Sequence, residues 1–194
     1  KAKGIYLWTL DDKKLIDFSI MGIGTAILGY SNNKIDTKVK LAIDNGINTT
    51  LNSIEEYQLA KEILKYDKFA RQVKFAKGGG EAMSMAIRIA RSNSKKYKVV
   101  FSGYHGWHDW YISANLANTK NLNNHLLKNL KPIGVPKNLR NSIIPLKFND
   151  HNQLKNIFKK NKDAGILVIE GARDSYPSKN FVREINKLKI KNKV

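Results

Sequence analysis

Three consecutive glycines in Lys77-Gly78-Gly79-Gly80-Glu81-Ala82 separate a short apolar run at 73–76 from a stretch with helical spacing. A strand that turns through glycine into a helix is a unit of α/β layers, and the pattern repeats along the chain. Lys98-Val99-Val100-Phe101 reads as a second strand, Leu154, Ile157 and Phe158 mark a helix, and Ile166-Leu167-Val168-Ile169 is a third, wholly apolar strand. Phe181, Ile185 and Leu188 carry a last helix behind a Ser178 cap. Apolar strands alternating with amphipathic helices predict a mostly parallel sheet flanked by helices. The helix after the glycines is expected to begin near Glu81 and to bury Ala82, Met85, Ala86, Ile89 and Ala90. Its unpaired first-turn N–H groups and positive dipole end, on backbone that glycine lets a ligand approach, make an anion cradle.

Upstream of this pattern, segments 5–9 and 14–18 read as a hairpin turning through Asp11 and Asp12. Tyr6 and Trp8 are expected to pack that hairpin. Helical spacing follows at Ile35, Val39, Ala42, Ile43 and Gly46, and again at Leu59, Ala60, Ile63 and Leu64. Residues 103–152 carry few recognisable elements and three of the four prolines, the mark of a long functional loop over a site. After the last helix an α/β pattern calls for a further strand, so the sheet is expected to continue beyond Val194.

Composition excludes several classes. The chain of 194 residues is 42% hydrophobic, enough for a packed core. It has no cysteine, which removes disulfides, thiolate catalysis and cysteine zinc sites and suits a reducing compartment. The longest apolar stretch, 20–29, is glycine-interrupted and too short to span a bilayer, and 1–10 lacks a secretory h-region. A soluble cytoplasmic protein is expected, for which the sequon Asn48-Thr49-Thr50 has no use. The net charge of +19 opens an alternative, a non-enzymatic basic module that binds nucleic acid. Against it, the cations are 29 Lys and 6 Arg dispersed along the chain, and no zinc-finger, ribonucleoprotein or basic-heptad motif accompanies them.

The nature of the anion is narrowed by what surrounds the glycines. A Walker loop needs Lys-Ser/Thr after its last glycine, and a dinucleotide fingerprint needs a third glycine where Met83 stands. Directly after the second strand comes Gly103-Tyr104-His105-Gly106-Trp107-His108-Asp109-Trp110-Tyr111. In a parallel sheet this aromatic segment would lie beside the glycine loop, where such sheets bind ligands. A flat ring bearing a phosphate suits both segments, the phosphate on the helix N-terminus and the ring on Tyr104 or Trp107. Pyridoxal phosphate has that shape. His105, His108 and Asp109 lack a further ligand at metal-site spacing, and His125 and His151 are isolated residues expected at the surface or in packing.

Taken in order, these segments resemble the class III pyridoxal-phosphate aminotransferases, in particular the glutamate-1-semialdehyde 2,1-aminomutase-like branch. The likeness runs through Gly4-x-Tyr6-x-Trp8, Leu15-Ile16-Asp17-Phe18, Ile27-Leu28-Gly29-Tyr30, Glu56-Tyr57-Gln58-Leu59-Ala60, the phosphate loop, Ile87-Arg88-Ile89-Ala90-Arg91 and, most specifically, Tyr104-His105-Gly106-Trp107-His108-Asp109. The resemblance implies the large domain of a fold-type I transferase, truncated, with residues 1–50 as an N-terminal hairpin and helix segment and 51–194 as the first part of the cofactor-binding domain. It implies that Gly78, Gly79 and Gly80 hold the phosphate of pyridoxal 5'-phosphate or pyridoxamine 5'-phosphate, that Tyr104 stacks on the ring with His105 beside it, and that Glu170 stands near the ring hydroxyl.

The chain departs from the family at Gly80, where a hydroxyl residue is common, and at Gly171, where proline usually follows the glutamate. Phosphate binding would then rest on backbone N–H groups. The family's pyridine-nitrogen Asp and Schiff-base Lys fall beyond Val194, so the 194 residues alone are expected not to catalyse. The complete protein is expected to be a homodimer acting on a small amino or keto substrate.

Overall fold

The computed structural model describes residues 1–47, 49–125, 127–172 and 174–192, which leaves the acceptor Asn48 of the sequon outside the described residues. The chain divides into two compact units, Lys1–Val73 and Lys74–Val194.

The first unit opens with an antiparallel sheet of β1 (Ala2–Lys3), β2 (Tyr6–Trp8) and β3 (Lys14–Ile16), in that order. The expected hairpin forms between β2 and β3 with Leu7 opposite Leu15, and Asp12 takes a left-handed φ of +58° in its turn. Tyr6 and Trp8 pack edge to face at 6.3 Å with the Lys14 ammonium 3.8 Å from the Tyr6 ring, so the aromatics do stabilise the hairpin. β1 is an addition that two residues of sequence could not announce. The helices α1 (Asn33–Asp44) and α2 (Ile54–Tyr66) occupy the two segments of helical spacing, each with a side-chain N-cap, Asn32 and Ser53. Neither has a buried residue: Val39 is 51% and Leu59 53% exposed.

The second unit is a parallel three-stranded sheet in the order β5-β4-β6, with β4 (Lys98–Ser102) between β5 (Ile143–Pro145) and β6 (Ala164–Ile169). The helices are α3 (Gly79–Ser94), the short α4 (Asp109–Ile112) and α5 (Ala114–Ala117), α6 (His151–Lys160) and α7 (Lys179–Asn192). Side chains of β4 alternate between two cores, as the period of a strand requires. Val99 and Phe101 pack with Ile87 of α3 and Trp110, Tyr111 and Ile112 of α4. Val100 packs with Leu154 and Phe158 of α6 and Phe181 and Leu188 of α7. The central strand is therefore covered on both faces, which explains its apolar run Val99-Val100-Phe101. The Ser178 cap is present, accepting from the Phe181 N–H at 3.2 Å.

Three expectations are corrected. Residues 73–76 are not a strand, because among the described residues no neighbouring strand shares ladder hydrogen bonds with them. α3 buries Ile87, with Met83 and Ala90 against the same core, and leaves Ala82, Ala86 and Ile89 exposed. The two apolar stripes lie one residue, about 100°, apart on the helix, so periodicity alone does not choose between them. The stretch 103–152 is no loose loop: Trp110, Tyr111, Ala114, Leu122 and Leu146 within it are buried, and it contributes α4, α5 and β5. Among the described residues no helix is long and apolar enough to cross a membrane.

Candidate functional site

The expected residues fall into two neighbouring groups joined by the loop 103–106. The first is the start of α3. Gly78 is its N-cap, extended at φ −142° and ψ 155°, with no side-chain cap. The first ladder bond runs from the Ala82 N–H to the Gly78 carbonyl at 3.0 Å. The preceding N–H groups of Gly79, Gly80 and Glu81 lie outside the ladder by helix geometry, and the helix starts two residues earlier than the Glu81 that periodicity suggested. The Glu81 carboxylate accepts from the Lys77 N–H at 3.0 Å, one residue before the N-cap, and so closes the turn from behind.

The aromatic loop meets this turn backbone to backbone. A Cβ at Gly106 would lie 2.9 Å from the Gly80 Cα, and one at Gly80 would lie 2.8 Å from the His108 ring. Gly106 also holds φ at +103°, so glycine is required there twice over. His108 is fixed by a 2.8 Å hydrogen bond between its Nδ1 and Ser84 Oγ, which ties the loop to α3. The glycine-to-helix turn and the loop thus meet directly at Gly106 and His108.

The second group stands at the carboxyl ends of β4 and β6. The Glu170 N–H donates to the Ser102 carbonyl at 3.2 Å, and its side chain fills the space in front of Gly103, where a Cβ would come within 2.5 Å of its Cγ. A cavity of about 540 Å³ opens here, lined among others by Gly103, His125, Lys147, Asn149 and Glu170, at the end of the sheet where parallel strands bind ligands. Gly78, Gly79, Gly80, Tyr104 and His105 lie outside that lining. Tyr104 is half-buried, edge-on to Tyr111 at 6.1 Å. His105 is buried with its Nε2–H donating to the Ser102 carbonyl at 2.9 Å, which places its ring beneath the loop. Trp107 is 64% exposed, whereas Trp110 and Tyr111 serve the core.

His125 had no local signal. It is 5% exposed and not a surface residue, and its Nδ1 accepts from the Gly103 N–H at 3.0 Å. Burial first, and then the charge of His105, hold its pKa below the ordinary imidazole value, against the attraction of Glu170. Only a position counted from the strand ends, not a motif, could have singled it out.

Strand order, flanking helices and the glycine turn define a class, the large domain of fold-type I transferases. A solved structure described as a transaminase with PLP bound superposes with a TM-score of 0.86 at 18% identity, covering 100% of this chain and 46% of that one. A glutamate-1-semialdehyde-aminomutase from Pseudomonas aeruginosa superposes with a TM-score of 0.77 at 17% identity, over 100% of this chain and 42% of that one. The aminotransferase class-III family matches residues 1–171, and the chain belongs to that family. Curated relatives include the glutamate-1-semialdehyde 2,1-aminomutase of Wigglesworthia glossinidia brevipalpis, 34% identical over 97% of this chain and 44% of that protein. That of Nitrosopumilus maritimus is 30% identical over 100% of this chain and 46% of its own length. The chain therefore spans less than half the length of the relatives it matches, and nothing in these likenesses supports the nucleic-acid reading.

Proposed function

We propose that the full-length protein is a pyridoxal-phosphate enzyme that moves an amino group, an aminotransferase or an aminomutase similar to those acting on glutamate 1-semialdehyde. The observation that carries this reading is the contact of Gly106 with Gly80, which sets the open N–H groups of α3 beside the Tyr104 loop. The residues present fit the group. In this reading the N–H groups of Gly79 and Gly80, with the N-terminal end of the α3 dipole, hold the phosphate. Gly78 leaves the approach free of side chain. The Tyr104 ring supports one face of the pyridine with His105 behind it, and the Glu170 carboxylate accepts a hydrogen bond from the ring hydroxyl. When bound, pyridoxal phosphate supplies an electron sink for the carbon that bears the amino group. The 194-residue chain by itself is proposed to grip the cofactor without turning over substrate, and the complete protein to work as a homodimer.

Two assays test it. Full-length protein given glutamate 1-semialdehyde alone is expected to isomerise it if it is a mutase, whereas a two-substrate transaminase needs a separate amino donor and keto acceptor. Absence of both activities across a panel of amino donors refutes the amino-group reading. Replacing Tyr104 by Ala in the full-length protein is expected to weaken pyridoxal phosphate retention by about tenfold, the effect of losing ~1–1.5 kcal/mol of ring packing. Equilibrium dialysis checks it, and unchanged retention rejects the stacking role.

A further inference from the structure

Gly103 is held by side chains at both of its polar backbone groups. Its N–H donates to His125 Nδ1 at 3.0 Å, and its carbonyl accepts from the Tyr111 hydroxyl at 2.7 Å. The same hydroxyl also reaches the His125 carbonyl at 3.4 Å. The end of β4, the helix α4 and the turn at His125 are therefore joined at one residue. The Phe101 ring packs against both clamping side chains, 5.1 Å from Tyr111 and 4.8 Å from His125. Tyr111 and Phe101 are both fully buried.

The position of Gly103 gives this clamp its meaning. It is the residue immediately before Tyr104, it takes φ +102°, and the Glu170 side chain occupies the space a Cβ would need. The orientation of its peptide groups therefore sets both the direction in which the chain delivers Tyr104 and the room left to the Glu170 carboxylate. We infer that His125 and Tyr111 are positioning residues of the cofactor site, clamping Gly103 so that Tyr104 and Glu170 keep one fixed relation to each other; this rests on the pyridoxal-phosphate reading above.

The protonation state follows from the bond. A backbone N–H can only donate, so His125 Nδ1 carries the lone pair and the ring proton sits on Nε2. Protonating Nδ1 would set two donors against each other and open the clamp. The titratable groups facing the ring are His105, Glu170 at the end of β6, and Lys147 and Asp174 in the lining of the same cavity. With its pKa held below the ordinary 6.5, neutral His125 contributes stability that is complete above that value and is lost as the pH falls from there through the folded pKa.

Hydrogen exchange at the Gly103 amide of the full-length apoprotein, resolved by NMR with isotope-labelled glycine, tests the clamp without any cofactor. Above about pH 7.5, where the ring is neutral, the wild type and His125→Asn are expected to protect this amide at least ~10-fold better than His125→Leu. The Asn side-chain oxygen is an acceptor that does not titrate. As the pH is lowered below about 6.5, protection falls in the wild type and not in His125→Asn. Pyridoxal phosphate affinity is expected to follow the same order, with His125→Leu at least ~10-fold weaker. Tyr111→Phe, which keeps the ring and loses only the hydroxyl, is expected to weaken retention in the same direction. Equal Gly103 protection in the wild type and His125→Leu, or an Asn variant matching the Leu variant at every pH, overturns the clamp. A wild type that binds no pyridoxal phosphate overturns the cofactor reading instead, and the order of Gly103 protection still decides whether the clamp exists.

Discussion

Gly106→Ala in the full-length protein is expected to lower pyridoxal phosphate affinity by roughly 100-fold and to destabilise the fold by about 2–4 kcal/mol. Two independent costs combine at this position. Its φ of +103° is strained for any residue with a side chain, and the added Cβ would meet the Gly80 Cα at 2.9 Å. Backbone cannot swing aside as a flexible side chain would, so relief comes only by separating the aromatic loop from the first turn of α3. That separation takes apart the surface on which a phosphate and a ring would be held together. Equilibrium dialysis with the cofactor and urea unfolding measure the two effects. Wild-type affinity in a stably folded Gly106→Ala protein would mean that the contact does not serve the site.

Phe101→Ala is expected to cost about 3–5 kcal/mol. The ring is fully buried in the central strand and packs at 5.1 Å from Tyr111, 4.8 Å from His125 and 6.4 Å from His105. Losing it would open a cavity beneath the residues that hold Gly103, so cofactor affinity is expected to fall with stability. A domain with a total stability of about 5–15 kcal/mol would be left marginal. The urea midpoint measures the change, and an unchanged slope would place it in the folded state. A shift under about 1 kcal/mol would show that the core around β4 is not packed as described.

Much of the fold was legible because β4 and β6 send apolar side chains into cores on both faces of the sheet. An unbroken apolar run such as Ile166-Leu167-Val168-Ile169 has few other readings, and the helices of α6 and α7 carry clear stripes at Leu154 and Phe158 and at Phe181 and Leu188. The same reasoning misled at 73–76, since an apolar run becomes a strand only where a neighbour pairs with it. β5 escaped notice because three residues ending in Pro145 leave almost no pattern to read. The inner face of α3 was misjudged because both of its adjacent stripes are apolar, and the choice is made by β4 and α4 rather than by α3 itself.

The candidate site was legible in part and for a different reason. Gly78 to Gly80 and the Tyr104 loop announce themselves by composition, and the resemblance supplied roles for them and for Glu170. The close approach of Gly106 to Gly80 is set by tertiary packing and a positive φ, neither of which is written in a motif. His125 is further from view still, a lone histidine whose partner is a backbone N–H.

The start of α3 and the loop beside it are proposed to grip pyridoxal phosphate. Titrating cofactor-free full-length protein with pyridoxal phosphate tests this directly. A saturable absorbance band near about 420 nm, lost or greatly weakened in Gly106→Ala, is the expected result. No band in the wild type, together with tight and salt-dependent binding to DNA, would contradict the account and restore the basic nucleic-acid module in its place.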